Sequence, residues 1–348
     1  MSIMPIRHSL PWLVLGTLSL ACGGDPISPP GPDGWATATP SSQGMDGGLL
    51  DDAGDVAADY YSMRSLIVVR HGYIVFERYF RGYGADDRPV LRSITKSIAS
   101  AAYGIALARG DLDSLDLRLA EVFPQYVAPT DTTRGTITVR HLLTMTSGLN
   151  SEQADDAIRD TSWLRAYAQA PIITQPGTTF RYDGALPHLL SGILTARTQM
   201  TLADYMGQYL FTPLGITGTT WEADPQGFTS GFSGLGIRPR ELAKIGRLYL
   251  QGGMWEGQQV LPQEWAEQAG INQAPGGADT AGYGYLWWIS AETGHRAFYG
   301  AGYGGQYLYM IPDLDLVVVI TGDPDVTPDV PILHRNLIPD YIAPAVRR

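Results

Sequence analysis

The chain has 348 residues, with 35 acidic against 24 basic side chains and a net charge of −11, a balance that argues against a nucleic-acid partner, whose phosphates call for a basic face. A content of 44% hydrophobic and 17% charged residues belongs to a chain that buries a sizeable core, not to a disordered one. The single cysteine excludes an intramolecular disulfide and a cysteine-based metal cluster.

Arg7 and His8 precede an apolar run from Leu10 to Ala21, which is too short to span a bilayer and fits the h-region of a secretory signal. It ends Leu18-Ser19-Leu20-Ala21-Cys22. This is similar to a bacterial lipobox, although Ser19 stands where an aliphatic residue is usual, and Ser19-Leu20-Ala21 also suits ordinary signal peptidase. Residues 1–22 are therefore expected to direct export, with Cys22 as the lipid attachment site of a periplasmic or outer-membrane lipoprotein. That lipid is the one membrane contact the sequence implies. From Gly23 to Gly44 the chain is crowded with Gly, Pro, Ser and Asp, including Pro29-Pro30-Gly31-Pro32. Such a composition reads as a flexible linker and leaves 45–348 as the folded domain, its start falling near Trp35 to Leu49.

Ser65–Val69 and Tyr73–Tyr79 are β-branched and aromatic runs around Arg70-His71-Gly72, which predicts a hairpin. Ile94–Ala108 is apolar all round and predicts a buried helix. Helical spacing continues in Thr138–Thr146, Leu186–Arg197, Leu202–Leu210 and Arg240–Leu250. Tyr285–Ile289, Arg296–Tyr299, Gln306–Ile311 and Leu314–Thr321 read as strands, with Pro312-Asp313 turning between the last two. Strands at both ends with helices between them predict an α+β fold, one antiparallel sheet closed by the two ends of the chain and carrying a helical insertion.

Ser93-Ile94-Thr95-Lys96 carries the chemistry. Serine and lysine three apart on a helix share one face, and Ser93 falls at the helix start, where free N–H groups favour negative charge. Lys96 is the only charged residue between Arg92 and Arg109. An amine in that apolar setting loses part of its preference for charge and can take a proton from the neighbouring hydroxyl. The bland alternative is a helix cap followed by a solvated lysine, which the apolar helix disfavours. Two further groups are needed, a proton relay and a second N–H for an oxyanion. Phe180-Arg181-Tyr182-Asp183-Gly184 offers Tyr182. Gly300-Ala301-Gly302-Tyr303-Gly304-Gly305 offers close backbone approach ahead of a strand.

With Leu91-Arg92-Ser93-Ile94-Thr95-Lys96-Ser97, the run Val139-Arg140-His141-Leu142-Leu143-Thr144-Met145-Thr146-Ser147-Gly148-Leu149 and Pro239-Arg240-Glu241-Leu242-Ala243-Lys244, the chain resembles the serine β-lactamase and penicillin-binding protein superfamily. Tyr283-Gly284-Tyr285-Leu286-Trp287-Trp288 and the strand from Gly305-Gln306 add to the match. It is most similar to the branch holding class C β-lactamases, carboxylesterases, D-amino-acid-specific peptidases and 6-aminohexanoate-dimer hydrolases. The resemblance implies a β-lactamase/transpeptidase-like fold with Ser93 as nucleophile, Lys96 as its base and Tyr182 as proton shuttle. It implies an oxyanion hole from the Ser93 and Tyr303 N–H groups, and substrate contacts from Gly300, Ala301, Gly302, Asp183 and Trp287 or Trp288. No cofactor or metal is implied. Lactam-cleaving members carry Lys or His where this chain has Gly300 and an amide where it has Gly184, so an esterase or amidase acting on a small or peptide-like substrate is expected ahead of an efficient β-lactamase or a D-Ala-D-Ala carboxypeptidase.

The rival signals are weaker. Gly300–Gly305 satisfies G-x-G-x-x-G, but a strand follows it and a dinucleotide site needs a helix there. Gly231-Phe232-Ser233-Gly234-Leu235 is a nucleophile elbow without its closing glycine. The six histidines lack metal-ligand spacing, and His141 reads as structural. A non-catalytic peptidoglycan or ligand sensor would have no need of Ser93, Lys96 and Tyr182 together.

Overall fold

The computed structural model of the chain describes residues 27–31, 33–277, 280–325 and 335–347; the predicted export signal and Cys22 lie outside them. Strands β1 (Met63–Arg70) and β2 (Tyr73–Tyr79) form the predicted hairpin. His71 and Gly72 between them take φ of 50° and 83°, the pair of positive angles that a two-residue hairpin turn demands. Two small ribbons stand apart, β3 (Thr220–Trp221) with β4 (Leu235–Gly236) and β5 (Met254–Trp255) with β6 (Gln258–Gln259). β7 (Gly282–Tyr283), β8 (Trp288–Ser290), β9 (Ala297–Gly302), β10 (Gln306–Ile311) and β11 (Leu316–Gly322) complete a seven-stranded sheet in the order β2-β1-β11-β10-β9-β8-β7. Its neighbours run antiparallel, with Val68 opposite Val318 where the first strand meets the last. The sheet is thus closed by the two ends of the chain, as predicted.

The α-helices are α1 (Gly47–Asp59), α2 (Ile94–Arg109), α3 (Leu119–Val122), α4 (Val139–Leu143), α5 (Asp156–Arg159), α6 (Trp163–Ala168), α7 (His188–Thr198), α8 (Leu202–Met206), α9 (Pro239–Leu250) and α10 (Gln263–Ala269). The sheet is covered on both faces, which is why β1 and β11 are buried throughout. Alternation divides the strands between two cores. Ile67, Val69, Val317 and Val319 join α2 and α9 in one, while Leu66, Val68, Val318 and Ile320 join Leu50, Ala53 and Ala57 of α1 in the other.

Three expectations are corrected and one helix is added. The linker boundary lies too late in the chain: Trp35 is 4% exposed, its indole donates to the Arg240 carbonyl at 2.9 Å, and Asp33 pairs with Arg240. A single anchored aromatic outweighs the glycine and proline around it. Helix α1 escapes the sequence reading because Gly47, Gly48 and Gly54 are poor helix formers; the Asp46 side chain starts it by accepting from the Gly48 and Leu49 N–H groups. The strand expected over Tyr285–Ile289 begins only at Trp288. Leu286 takes φ 62° and donates to the Leu143 carbonyl at 2.9 Å, and this bend turns Tyr285 onto Trp265, ring centroids 4.9 Å apart. The helix expected over Thr138–Thr146 ends at Leu143, with Met145 beyond it at φ 57°.

Candidate active site

The site is built where the start of α2 meets the end of β9. Arg92 takes φ 50°, a left-handed conformation that costs a non-glycine residue about 1–2 kcal/mol. That turn lets Leu91 donate to the Leu235 carbonyl at 2.8 Å while α2 departs at once from Ser93. Residues Ile94 to Ala106 of α2 are all buried, so the one charge among them is held away from water. Lys96 is 2% exposed, and its Nζ donates to Ser93 Oγ at 2.8 Å and to the Phe232 carbonyl at 3.0 Å. Burial pulls the amine down to about 7, with the Asp183 charge pushing partly back up. Near neutral pH a large share of it is unprotonated and able to accept the serine proton across the same short contact.

Tyr182 joins this pair, its ring centroid 5.5 Å from Lys96 Nζ. Burial pushes its phenol up, and the Ser93 hydroxyl pulls in the opposite direction. The ring is stacked on Trp288, centroids 5.2 Å apart at 26°. Ser93, Lys96, Tyr182 and Trp288 are therefore brought together as the sequence reading expects.

Three residues assigned to substrate binding stand elsewhere. Asp183 is a brace: its carboxylate accepts from the Ser151 N–H and hydroxyl, from Ala185 and Leu186 N–H and from Arg181. Those bonds engage both oxygens and fix the turn that presents Tyr182. Trp287 is 0% exposed, packed on Tyr249 and Phe298 at 5.0 and 5.6 Å, so it belongs to the core. The Ala301 side chain packs against the core on the far side of the sheet.

Gly300 and Gly302 serve by having no side chain. A Cβ on Gly300 would lie 3.1 Å from Ser97 Oγ, and one on Gly302 would lie 2.3 Å from the Leu91 carbonyl oxygen. β9 can reach the start of α2 only as bare backbone. Tyr303 follows at the mouth with its side chain 53% exposed. Among the described residues, neither its N–H nor that of Ser93 is taken by another backbone group, which leaves two donors free for a developing oxyanion. Gly302→Ala is expected to lower turnover about 10- to 100-fold by forcing β9 away from Leu91, which steady-state kinetics beside a circular-dichroism control would read.

Sequence reasoning missed Phe232. It lies in the segment dismissed as a failed nucleophile elbow, and its contribution is a backbone carbonyl, which no side-chain motif encodes. The glycines there were the available signal, since a Cβ on Gly231 would meet the Pro187 carbonyl at 2.2 Å and Gly234 takes φ 87°.

A seven-stranded antiparallel sheet, with a serine and a buried lysine on the helix packed against it, defines the class as a hydrolase with the β-lactamase/transpeptidase-like fold. The chain belongs to the Beta-lactamase family, whose family model matches residues 61–331. A 6-aminohexanoate-dimer hydrolase of Paenarthrobacter ureafaciens is 25% identical over 282 residues, covering 73% of this chain and 71% of its own length. Esterase EstB of Burkholderia gladioli is 30% identical over 192 residues, 47% of this chain and 48% of its own. Among solved structures, a penicillin binding protein from Bacillus halodurans superposes with a TM-score of 0.64 at 17% identity, over 82% of this chain and 98% of that one.

Proposed function

We propose that the protein hydrolyses carboxylic esters or unactivated amides through an acyl-enzyme on Ser93. The observation that carries this is the buried Lys96 amine, 2.8 Å from the Ser93 hydroxyl. Ser93 Oγ attacks the substrate carbonyl carbon and its proton passes to Lys96. The oxyanion is held by the Ser93 and Tyr303 N–H groups. Tyr182 carries the proton from Lys96 to the departing alkoxide or amine, the carbon–leaving-group bond breaks, and an acyl-Ser93 ester remains. Water then cleaves that ester, releasing the acid and restoring the serine.

Two observations favour esters and open-chain amides over lactams. Gly300 presents no cation from β9 to a substrate carboxylate. Gly184 presents no amide, and a Cβ there would meet nothing within 4 Å, so that side of the pocket is open space. The relatives' names, a 6-aminohexanoate-dimer hydrolase and an esterase, support the same reading. The run Leu10–Ala21 followed by Cys22 supports work outside the cytoplasm.

The test sets a short p-nitrophenyl ester beside a chromogenic cephalosporin. Ester turnover with kcat/KM at least about a hundredfold above that for the cephalosporin is expected, since each missing polar contact is worth a factor of ten or more. Faster cephalosporin cleavage would make β-lactam hydrolysis the better reading.

A further inference from the structure

Behind the site lies a buried polar couple for which the acyl-transfer chemistry has no use. His188, the first residue of α7, is 0% exposed, and its Nε2 stands 3.1 Å from Asp224 Oδ2. The imidazole is boxed edge-on by Trp163, Tyr167 and Phe232, with ring centroids 5.3, 6.1 and 6.2 Å away, and its Nδ1 is buried without a partner. Asp224 Oδ1 accepts from the Gln226 and Phe228 N–H groups, both at 2.9 Å. The carboxylate thus knots the turn after β3 and ties it to α7. From that turn the chain runs on to Phe232, whose ring meets His188 and whose carbonyl receives Lys96 at 3.0 Å.

An apolar side chain would fill an aromatic box at lower cost. Burying an imidazole and a carboxylate is unfavourable unless each is paired, and even a paired couple commonly only breaks even against apolar residues. Packing therefore does not account for this pair, whereas its contact with the residue that holds Lys96 does. We infer that His188 is a positioning residue, fixing, through Asp224 and its own contact with Phe232, the carbonyl that holds the Lys96 amine against Ser93. This rests on the Ser93–Lys96 reading above. A carbonyl dipole aimed at an amine favours its protonated form, so letting that carbonyl drift leaves burial less opposed and makes Lys96 easier to deprotonate but worse placed. The titratable groups facing His188 are Asp224 from the turn and Tyr167 from α6; those facing Lys96 are Ser93, Tyr182 and Asp183.

The test follows the rate at which a fluorophosphonate labels Ser93 in the full chain, against pH. In that step Oγ bonds to phosphorus, fluoride leaves and the serine proton passes to Lys96. Wild type, His188→Gln, His188→Leu and Asp224→Asn are compared, with thermal midpoints alongside. His188→Gln, whose amide can still donate to Asp224, is expected to keep the wild-type acid limb. His188→Leu is expected to move that limb to lower pH and to slow labelling on the plateau. Asp224→Asn keeps an acceptor for the Gln226 and Phe228 N–H groups but exchanges the carboxylate facing His188 for an amide; it is expected to move the limb the same way and carries the test if the leucine variant does not fold. Folded variants whose limb and plateau match wild type, with only the thermal midpoint altered, would overturn the inference and leave His188 as packing. A wild type not labelled at Ser93 would overturn the catalytic reading instead, and this inference with it.

Discussion

Ser93→Ala is expected to cut ester turnover by at least about a thousandfold, because the step it removes is the formation of the covalent intermediate itself. Removing one member of a nucleophile–base unit abolishes nearly all that the unit does, so Lys96 and Tyr182 should retain little activity on their own. The change is small for the fold. Ser93 precedes the first turn of α2 and its side chain makes no capping bond there, so circular dichroism and thermal midpoint should remain close to wild type. A variant that keeps its turnover would place the nucleophile elsewhere and leave the contact with Lys96 without a purpose.

Lys96 gives the second large effect, and it has a sign in pH. Burial holds the amine at about 7, below its ordinary 10.5, and only the unprotonated form can accept the serine proton. Turnover should therefore rise as pH climbs through about 7 and level off above it. In Lys96→Met turnover should fall by at least about a thousandfold with the limb abolished. Stability should move the other way. The folded state resists the charge that the unfolded chain accepts freely, so Lys96 destabilises the fold fully below about 7, and this is relieved progressively as pH rises toward 10.5. At pH 6 the methionine variant is expected to melt a few degrees higher, about 2–5 °C, the usual exchange of stability for function at a buried active-site charge. A pH-independent wild-type profile between 5 and 9, with an unchanged midpoint in the variant, would remove the amine from the base role.

Much of this site was legible because its central contact is local. Ser93 and Lys96 are one helical turn apart, and the apolar run around them announces burial without reference to any other segment. The sheet was legible for the same reason, since Leu66–Val69 and Leu316–Ile320 are continuous apolar stretches that only a doubly covered strand tolerates. The rest depended on the tertiary path. Adjacent strand residues face opposite ways, so one of Trp287 and Trp288 had to turn from the pocket, but the bend at Leu286 decides which. Asp183 looked like a ligand contact because it follows Tyr182; it is a brace because Ser151, some thirty residues earlier, folds back to meet it. Phe232 was invisible because it acts through its main chain, and His188 because its partner Asp224 lies on a turn that no periodicity marks.

The most direct measurement is intact-mass analysis of the protein quenched during turnover of a p-nitrophenyl ester, followed by peptide mapping of the adduct. Acyl transfer through Ser93 predicts a single added acyl group on the peptide containing Ser93-Ile94-Thr95-Lys96, absent in Ser93→Ala. An adduct on another peptide, or undiminished turnover with Ser93 replaced, would contradict it.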